Sequence, residues 1–201
     1  MIITSKADLR KHFREIRKNI SPENKLQWDE RIFHALIEST LLMDAHIAMT
    51  YLSCRNEVDT FRFVRYALDK GIRVAVPKTD VLHINLIPAE IRNLEGDLHI
   101  GHFKVFEPRE EAFQRVDVRE IDVHIIPGVA FDSQGHRIGY SRGFYDRFLS
   151  QVPADKIRIG LAYECQIADA IPAEPWDIPV THIVTERRIL YCNRDGIPEK
   201  K

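Results

Sequence analysis

His46-Ile47-Ala48-Met49-Thr50-Tyr51-Leu52 and Ile72-Arg73-Val74-Ala75-Val76-Pro77, separated by a run from Thr60 to Lys70 that stops at Gly71, read as strand, helix and strand. The apolar runs suit a pleated surface, and a glycine just past the last periodic residue is a helix stop signal. A unit of this kind joins parallel neighbours, so the stretch predicts a parallel sheet.

The alternation continues on both sides. Leu9, Phe13, Ile16 and Ile20 recur at helical spacing while Arg10, Arg14, Arg17 and Lys18 take other faces, which predicts an amphipathic helix from about Lys6 to Asn19. Ser21-Pro22-Glu23 supplies a cap and a first-turn proline for a second helix, striped by Leu26, Phe33, Leu36 and Ile37 and expected to run to about Ser39. Downstream, a short strand at His83 to Ile87, a strand at Val123 to Ile126, a helix from Phe144, a strand at Arg158 to Ala162 and a last one near His182 to Thr185 complete the pattern. The expected architecture is α/β, a mostly parallel sheet with helices on both faces. The charged segment from Asn93 to Glu120 is expected to be a connection with a turn at Gly101 or Pro108. No repeat or linker divides the chain, so one domain over 1–201 is expected.

Composition narrows the function classes. A net charge of -1 argues against non-specific binding to nucleic acid or anionic membranes and leaves small anionic ligands in a local basic pocket. Cys54, Cys165 and Cys192 are odd in number and far apart, which fits neither a disulfide framework nor a zinc spacing and points to a reducing cytosol. Charged residues come before any apolar run, and no stretch approaches the roughly 20 apolar residues of a spanning helix. A soluble, unprocessed, cytoplasmic protein is the expectation.

Gly135-His136-Arg137-Ile138-Gly139-Tyr140-Ser141-Arg142-Gly143-Phe144-Tyr145-Asp146-Arg147 concentrates glycines, arginines and an acid between a strand and a helix. Glycines admit backbone N–H groups to an anion, a following helix adds donors, and guanidinium groups grip phosphate bidentately. Read alone, the stretch fits either an anion cradle or a surface turn with solvated arginines; the flanking order of strand, loop and helix is the one a cradle requires. Asp146 could hold the magnesium that accompanies a nucleotide.

Three further groups have two local readings each. Lys6 and Arg10, one helical turn apart, either converge on one polyanion or form a solvated basic face. Glu57, between a strand end and a helix start, either accepts a hydrogen bond from a heterocycle or favours the helix dipole, while Thr60 caps. Trp176 reads as packing more readily than as recognition, and Asp177 as a turn former or a ligand. The nine histidines show no metal-protease spacing, and no hydrolytic triad is suggested.

In their order, Lys6-x-x-Leu9-Arg10, Tyr51 through Glu57-Val58-Asp59-Thr60, Val76-Pro77, Gly101 through Glu107-Pro108, Asp122 through Pro127-Gly128-x-Ala130-Phe131-Asp132, the glycine loop, Tyr163-x-x-Gln166, and Trp176-Asp177 through Thr185-Glu186 resemble the 5-formyltetrahydrofolate cyclo-ligase family, also called methenyltetrahydrofolate synthetases. The resemblance covers nearly the whole chain. It implies a three-layer fold like that of the NagB, RpiA and CoA-transferase group, and ATP- and magnesium-dependent closure of 5-formyltetrahydrofolate to 5,10-methenyltetrahydrofolate with release of ADP and phosphate. In the implied mechanism the formyl oxygen takes the γ-phosphoryl group, N10 attacks the activated carbon, and phosphate leaves.

By the same resemblance, Lys6 and Arg10 bind ATP phosphates and Arg137, Gly139, Ser141, Arg142, Gly143 and Tyr145 wrap the nucleotide. Arg142 and Tyr145 are the implied catalytic residues, Asp146 holds magnesium, and Glu57, Phe103 and Phe144 contact the folate. The chain departs from the family in Ser141 for a glycine, Phe144 for the first of two tyrosines, and Thr181 where some members place an aspartate near the metal. Expected partners are the two small substrates alone, with no nucleic acid or membrane, and the expected state is a monomer. Two other readings are a non-catalytic ATP- and folate-binding sensor or storage protein, and a sugar-phosphate isomerase or CoA transferase on the same fold.

Overall fold

The computed structural model describes residues 5–140 and 143–192. The chain runs α1 (Lys6–Lys18), α2 (Pro22–Glu38), β1 (Ile47–Thr50), α3 (Phe61–Asp69), β2 (Arg73–Asp80), β3 (Asn85–Ile91), β4 (Leu98–Ile100), β5 (Phe106–Pro108), β6 (Gln114–Arg115), β7 (Val123–Ile126), β8 (Ala130–Asp132), β9 (Arg137–Ile138), α4 (Phe144–Leu149), β10 (Ile157–Leu161), β11 (Ile167–Ala168), β12 (His182–Val184) and β13 (Ile189–Tyr191).

Local chemistry sets the helix boundaries. The Ser5 and Ser21 hydroxyls accept from the backbone N–H groups of Asp8 and Asn24, each cap worth about 1 kcal/mol. Gly71, at φ +76°, takes the left-handed conformation that ends α3. Thr60 does not cap α3 through its side chain; its hydroxyl donates to Tyr51 O at 2.7 Å, and Asp59 Oδ1 accepts from the Phe61 N–H instead. At nine residues α3 is too short to persist alone, and its burial of Phe63, Val64 and Ala67 supplies what propensity does not.

Among the described residues the main sheet has eight strands in the order β13-β12-β10-β7-β1-β2-β3-β6. The central pairs β12/β10, β10/β7, β7/β1 and β1/β2 are parallel, and the flanking pairs are antiparallel. Alternate strand residues face opposite layers: Ala48, Val74, Val123 and Ile159 pack with Ile32 and Leu36 of α2 and Phe63 of α3, while Met49, Ala75, Ile126 and Ile183 pack with Phe148 and Leu149 of α4. Helices thus cover both faces. α1 lies apart, seating Leu9 and Phe13 on Val129 and on Ala130 and Ile138 of a small sheet formed by β11, β8 and β9.

Two local expectations are corrected. The strand expected at His83 to Ile87 begins at Asn85, extends to Ile91 and runs antiparallel to β2, because the residues before it form the hairpin turn and Ile84 sits at φ +50°. The Asn93 to Glu120 segment holds the β4/β5 hairpin and β6 as well as its turns. Among the described residues no helix is long and apolar enough to cross a membrane.

Candidate active site

Residues that leave the carboxyl ends of β1 and β7, among them Tyr51, Leu52 and Pro127, floor a cavity of about 490 Å³. This is where an open α/β sheet presents its loops. Lys6, Arg10 and Arg14 enter from α1, and Arg137, Gly139 and Gly143 from the β9 to α4 segment. Phe103, Phe106, Phe144 and Leu86 form an apolar wall, with the Phe103 and Phe144 ring centroids 5.9 Å apart.

The cations are held in place by specific partners. Lys6 Nζ pairs with Asp177 Oδ2 in a short contact, although the two residues are 171 positions apart in the chain. Arg10 Nε donates to Gly139 O at 2.8 Å, so α1 and the glycine loop form one wall. Arg137 is buried and donates to Asp146 Oδ1 at 2.8 Å and Ile178 O at 3.2 Å. A Cβ at Gly139 or Gly143 would meet nothing within 4 Å, so both glycines border open space. α4 has only six residues and a weak dipole, so side chains supply most of the positive charge here.

Glu57 is buried in the cavity wall, its Oε2 accepting from the Cys54 N–H at 2.9 Å. The Tyr163 hydroxyl lies 3.4 Å from Glu57 O and donates to Asp29 Oδ1 at 2.7 Å, and the Asp59 N–H reaches the same Asp29 oxygen at 3.2 Å. Asp29 of α2 therefore pins the loop that carries Glu57. Burial pushes the Tyr145 hydroxyl well above the usual phenol range; the Glu57 charge adds to this and Arg137 opposes it, so Tyr145 is a protonated donor at neutral pH. Burial and Glu57 also push the Cys54 thiol up to about 11.

The cavity brings together Lys6, Arg10, Glu57, Phe103, Arg137, Gly139, Gly143, Phe144, Tyr145 and Asp146. Ser141 and Arg142 lie outside the described residues. Trp176 is no packing residue: it is 66% exposed and stands on the cavity rim. Asp177 is both turn former and cavity residue, accepting from Glu174 N and pairing with Lys6. Thr181 spends its hydroxyl on the backbone of Arg158 and does not line the cavity.

Arg14 and Arg17, placed on the basic side of α1 by their spacing, both engage Tyr140. The Arg14 guanidinium lies 5.4 Å from the Tyr140 ring centroid, and buried Arg17 donates to the Tyr140 hydroxyl at 2.5 Å. Several landmarks are structural: Asp132 accepts from the N–H groups of Gln134, His136 and Ile171, and Gln166 bonds Val129 O and Tyr163 N.

For magnesium, Asp146 and Asp177 place two carboxylates on the cationic side of the cavity. Among the described residues no group of three or more His, Cys, Asp or Glu is gathered for a metal. That donor set fits magnesium, which commonly takes one or two carboxylates and completes its shell with phosphate oxygens and water.

Residues 2–186 match the model of the 5-formyltetrahydrofolate cyclo-ligase family. The chain is 30% identical over 184 residues to the 5-formyltetrahydrofolate cyclo-ligase of Escherichia coli K12, covering 88% of this chain and 97% of that one. With the Mycolicibacterium smegmatis protein of the same name it shares 28% over 192 residues, covering 94% and 98%. The solved structure of Aquifex aeolicus 5,10-methenyltetrahydrofolate synthetase superposes with a TM-score of 0.83 at 30% identity, covering 98% of this chain and 96% of that one. Fold and sequence agree, and this chain belongs to the 5-formyltetrahydrofolate cyclo-ligase family.

Proposed function

We propose that this protein closes 5-formyltetrahydrofolate to 5,10-methenyltetrahydrofolate at the expense of ATP, with the chain acting as one catalytic domain in the cytoplasm. The observation that carries the reading is a cavity lined together by the cations Lys6, Arg10, Arg14 and Arg137, the aromatic rings of Phe103, Phe106 and Phe144, and the Glu57 carboxylate. Such a cavity suits one polyanionic and one flat heterocyclic substrate held side by side.

The formyl oxygen attacks the γ-phosphorus and ADP leaves. N10 then bonds to the activated formyl carbon and loses its proton, and the carbon–oxygen bond breaks to release phosphate. An amide oxygen is a poor leaving group and phosphate a good one, so the phosphoryl transfer makes the ring closure possible. The protein's task is alignment and charge neutralisation.

Lys6 and Arg10 neutralise the ATP phosphates, Lys6 exchanging Asp177 for a phosphate oxygen. Gly139 and Gly143 leave room for the nucleotide, and Ser141 and Arg142, which lie between them in the sequence, complete its contacts. Arg137 orients the Asp146 carboxylate. Asp146, with Asp177, would hold magnesium, whose positive charge would stabilise the phosphates. Glu57 accepts from an N–H group of the pterin, Phe103 and Phe144 flank the folate, and the protonated Tyr145 hydroxyl serves as a donor where the two substrates meet.

ADP release in a coupled assay tests turnover against mere binding. Release of one ADP per folate closed, and none without 5-formyltetrahydrofolate, is expected. Binding of both ligands with no folate-dependent ADP release would refute the proposal.

A further inference from the structure

The stretch from Gly101 to Pro108 enters the chemistry above through the rings of Phe103 and Phe106, yet it also holds a buried carboxylate that this chemistry does not use. Glu107 of β5 is 2% exposed. It accepts from the Thr79 hydroxyl of β2 in a short contact, and its Oε2 lies 3.4 Å from His102 Nδ1. Gly101 closes around the same group: a Cβ there would overlap Glu107 Oε2 and stand 2.6 Å from its Cδ.

The turn so anchored has a demanding shape. The Gly101 N–H donates to Val105 O at 2.8 Å. Between them Phe103 and Lys104 hold φ of +56° and +59°, which residues with side chains adopt only when their surroundings enforce it. Phe103 stands in this turn with its ring packed edge-on against that of Phe144 in the cavity wall. Thr79 itself lines the cavity.

We propose that Glu107 is a positioning residue for the folate subsite: its buried carboxylate ties the Gly101 to Val105 turn to β2 and so fixes the Phe103 ring. The inference rests on the cyclo-ligase reading above. It predicts an effect on one substrate only. The phosphate wall is built from α1, β9 and the loop after it, and among the described residues none of these supplies a hydrogen bond to Glu107.

The test is steady-state kinetics together with equilibrium binding of 5-formyltetrahydrofolate, followed by tryptophan fluorescence. Glu107→Ala should raise KM and Kd for 5-formyltetrahydrofolate about tenfold and leave KM for ATP within about twofold. Glu107→Gln keeps an acceptor for Thr79 and should return both folate constants to within about threefold of wild type. In a Phe103→Ala background, Glu107→Ala should add nothing, since it acts through that ring. If Glu107→Ala does not fold, Gly101→Ala, whose methyl displaces the carboxylate, should raise the same constants. Equal rises for ATP and folate, or full additivity with Phe103→Ala, would overturn the proposal. A wild type that binds 5-formyltetrahydrofolate without closing it would overturn the functional reading instead, and the Kd comparison would still decide the role of Glu107.

Discussion

Acid should weaken this fold through His124, and by an amount that can be worked out. His124 sits on β7 between Met49 of β1 and Arg158 of β10, fully buried, with neither ring nitrogen hydrogen-bonded among the described residues. Its ring packs 5.7 Å from that of Phe148. Burial depresses its pKa from 6.5 to about 4; Lys156 adds to the effect and Asp122 opposes it. Below pH 6.5 the unfolded chain takes up a proton that the folded one refuses, so the stability is complete above pH 6.5 and is lost as pH falls toward 4. At about 1.36 kcal/mol per pH unit, lowering the pH to about 5 costs about 2 kcal/mol, or about 4–8 °C in Tm for a chain of this size. Urea denaturation of wild type and His124→Leu at about pH 7.5 and pH 5 isolates the term, because other titrating groups are common to both. The leucine variant should be at least as stable at neutral pH, having lost an unsatisfied polar ring, and should gain about 2 kcal/mol on wild type at the lower pH. A wild-type-to-variant difference that does not move between the two pH values would refute the reasoning.

Three predictions concern the site directly. Arg10→Ala removes a cation anchored to Gly139 O and should raise KM for ATP about 10- to 100-fold, with little change for 5-formyltetrahydrofolate; unchanged ATP kinetics would remove Arg10 from the phosphate wall. Asp146→Asn should raise the magnesium concentration needed for half-maximal rate by about tenfold or more, and an unaltered magnesium titration would remove Asp146 from the metal shell. Because Tyr145 keeps its proton, Tyr145→Phe should lower kcat by a factor that stays constant between about pH 6 and 9, whereas a factor that changes toward pH 9 would show the phenol titrating.

Regular elements declared themselves in the sequence through spacing. The stripes of α1 and α2, the cap at Ser21, and the strand-helix-strand unit around α3 depend on neighbours within a few residues, so local pattern captures them. β3 was harder to place because Pro88 interrupts its interior, where it pairs with Pro77 of β2. β8, β9 and β11, at two or three residues each, are too short for any period to register. In the site, the α1 cations and the glycine loop were legible by type and order. The Lys6–Asp177 pair, the hold of Asp29 on the Glu57 loop, and the exposure of Trp176 come from chain segments that only the fold brings together.

The most direct test of the central claim is near-ultraviolet absorbance of the purified protein with 5-formyltetrahydrofolate and magnesium, recorded before and after ATP is added. The methenyl bridge conjugates N5 with N10, a chromophore that the formyl compound lacks. An ATP-dependent rise that Arg10→Ala slows at limiting ATP is the predicted result. A flat trace from wild type at concentrations where both ligands are bound would contradict the account.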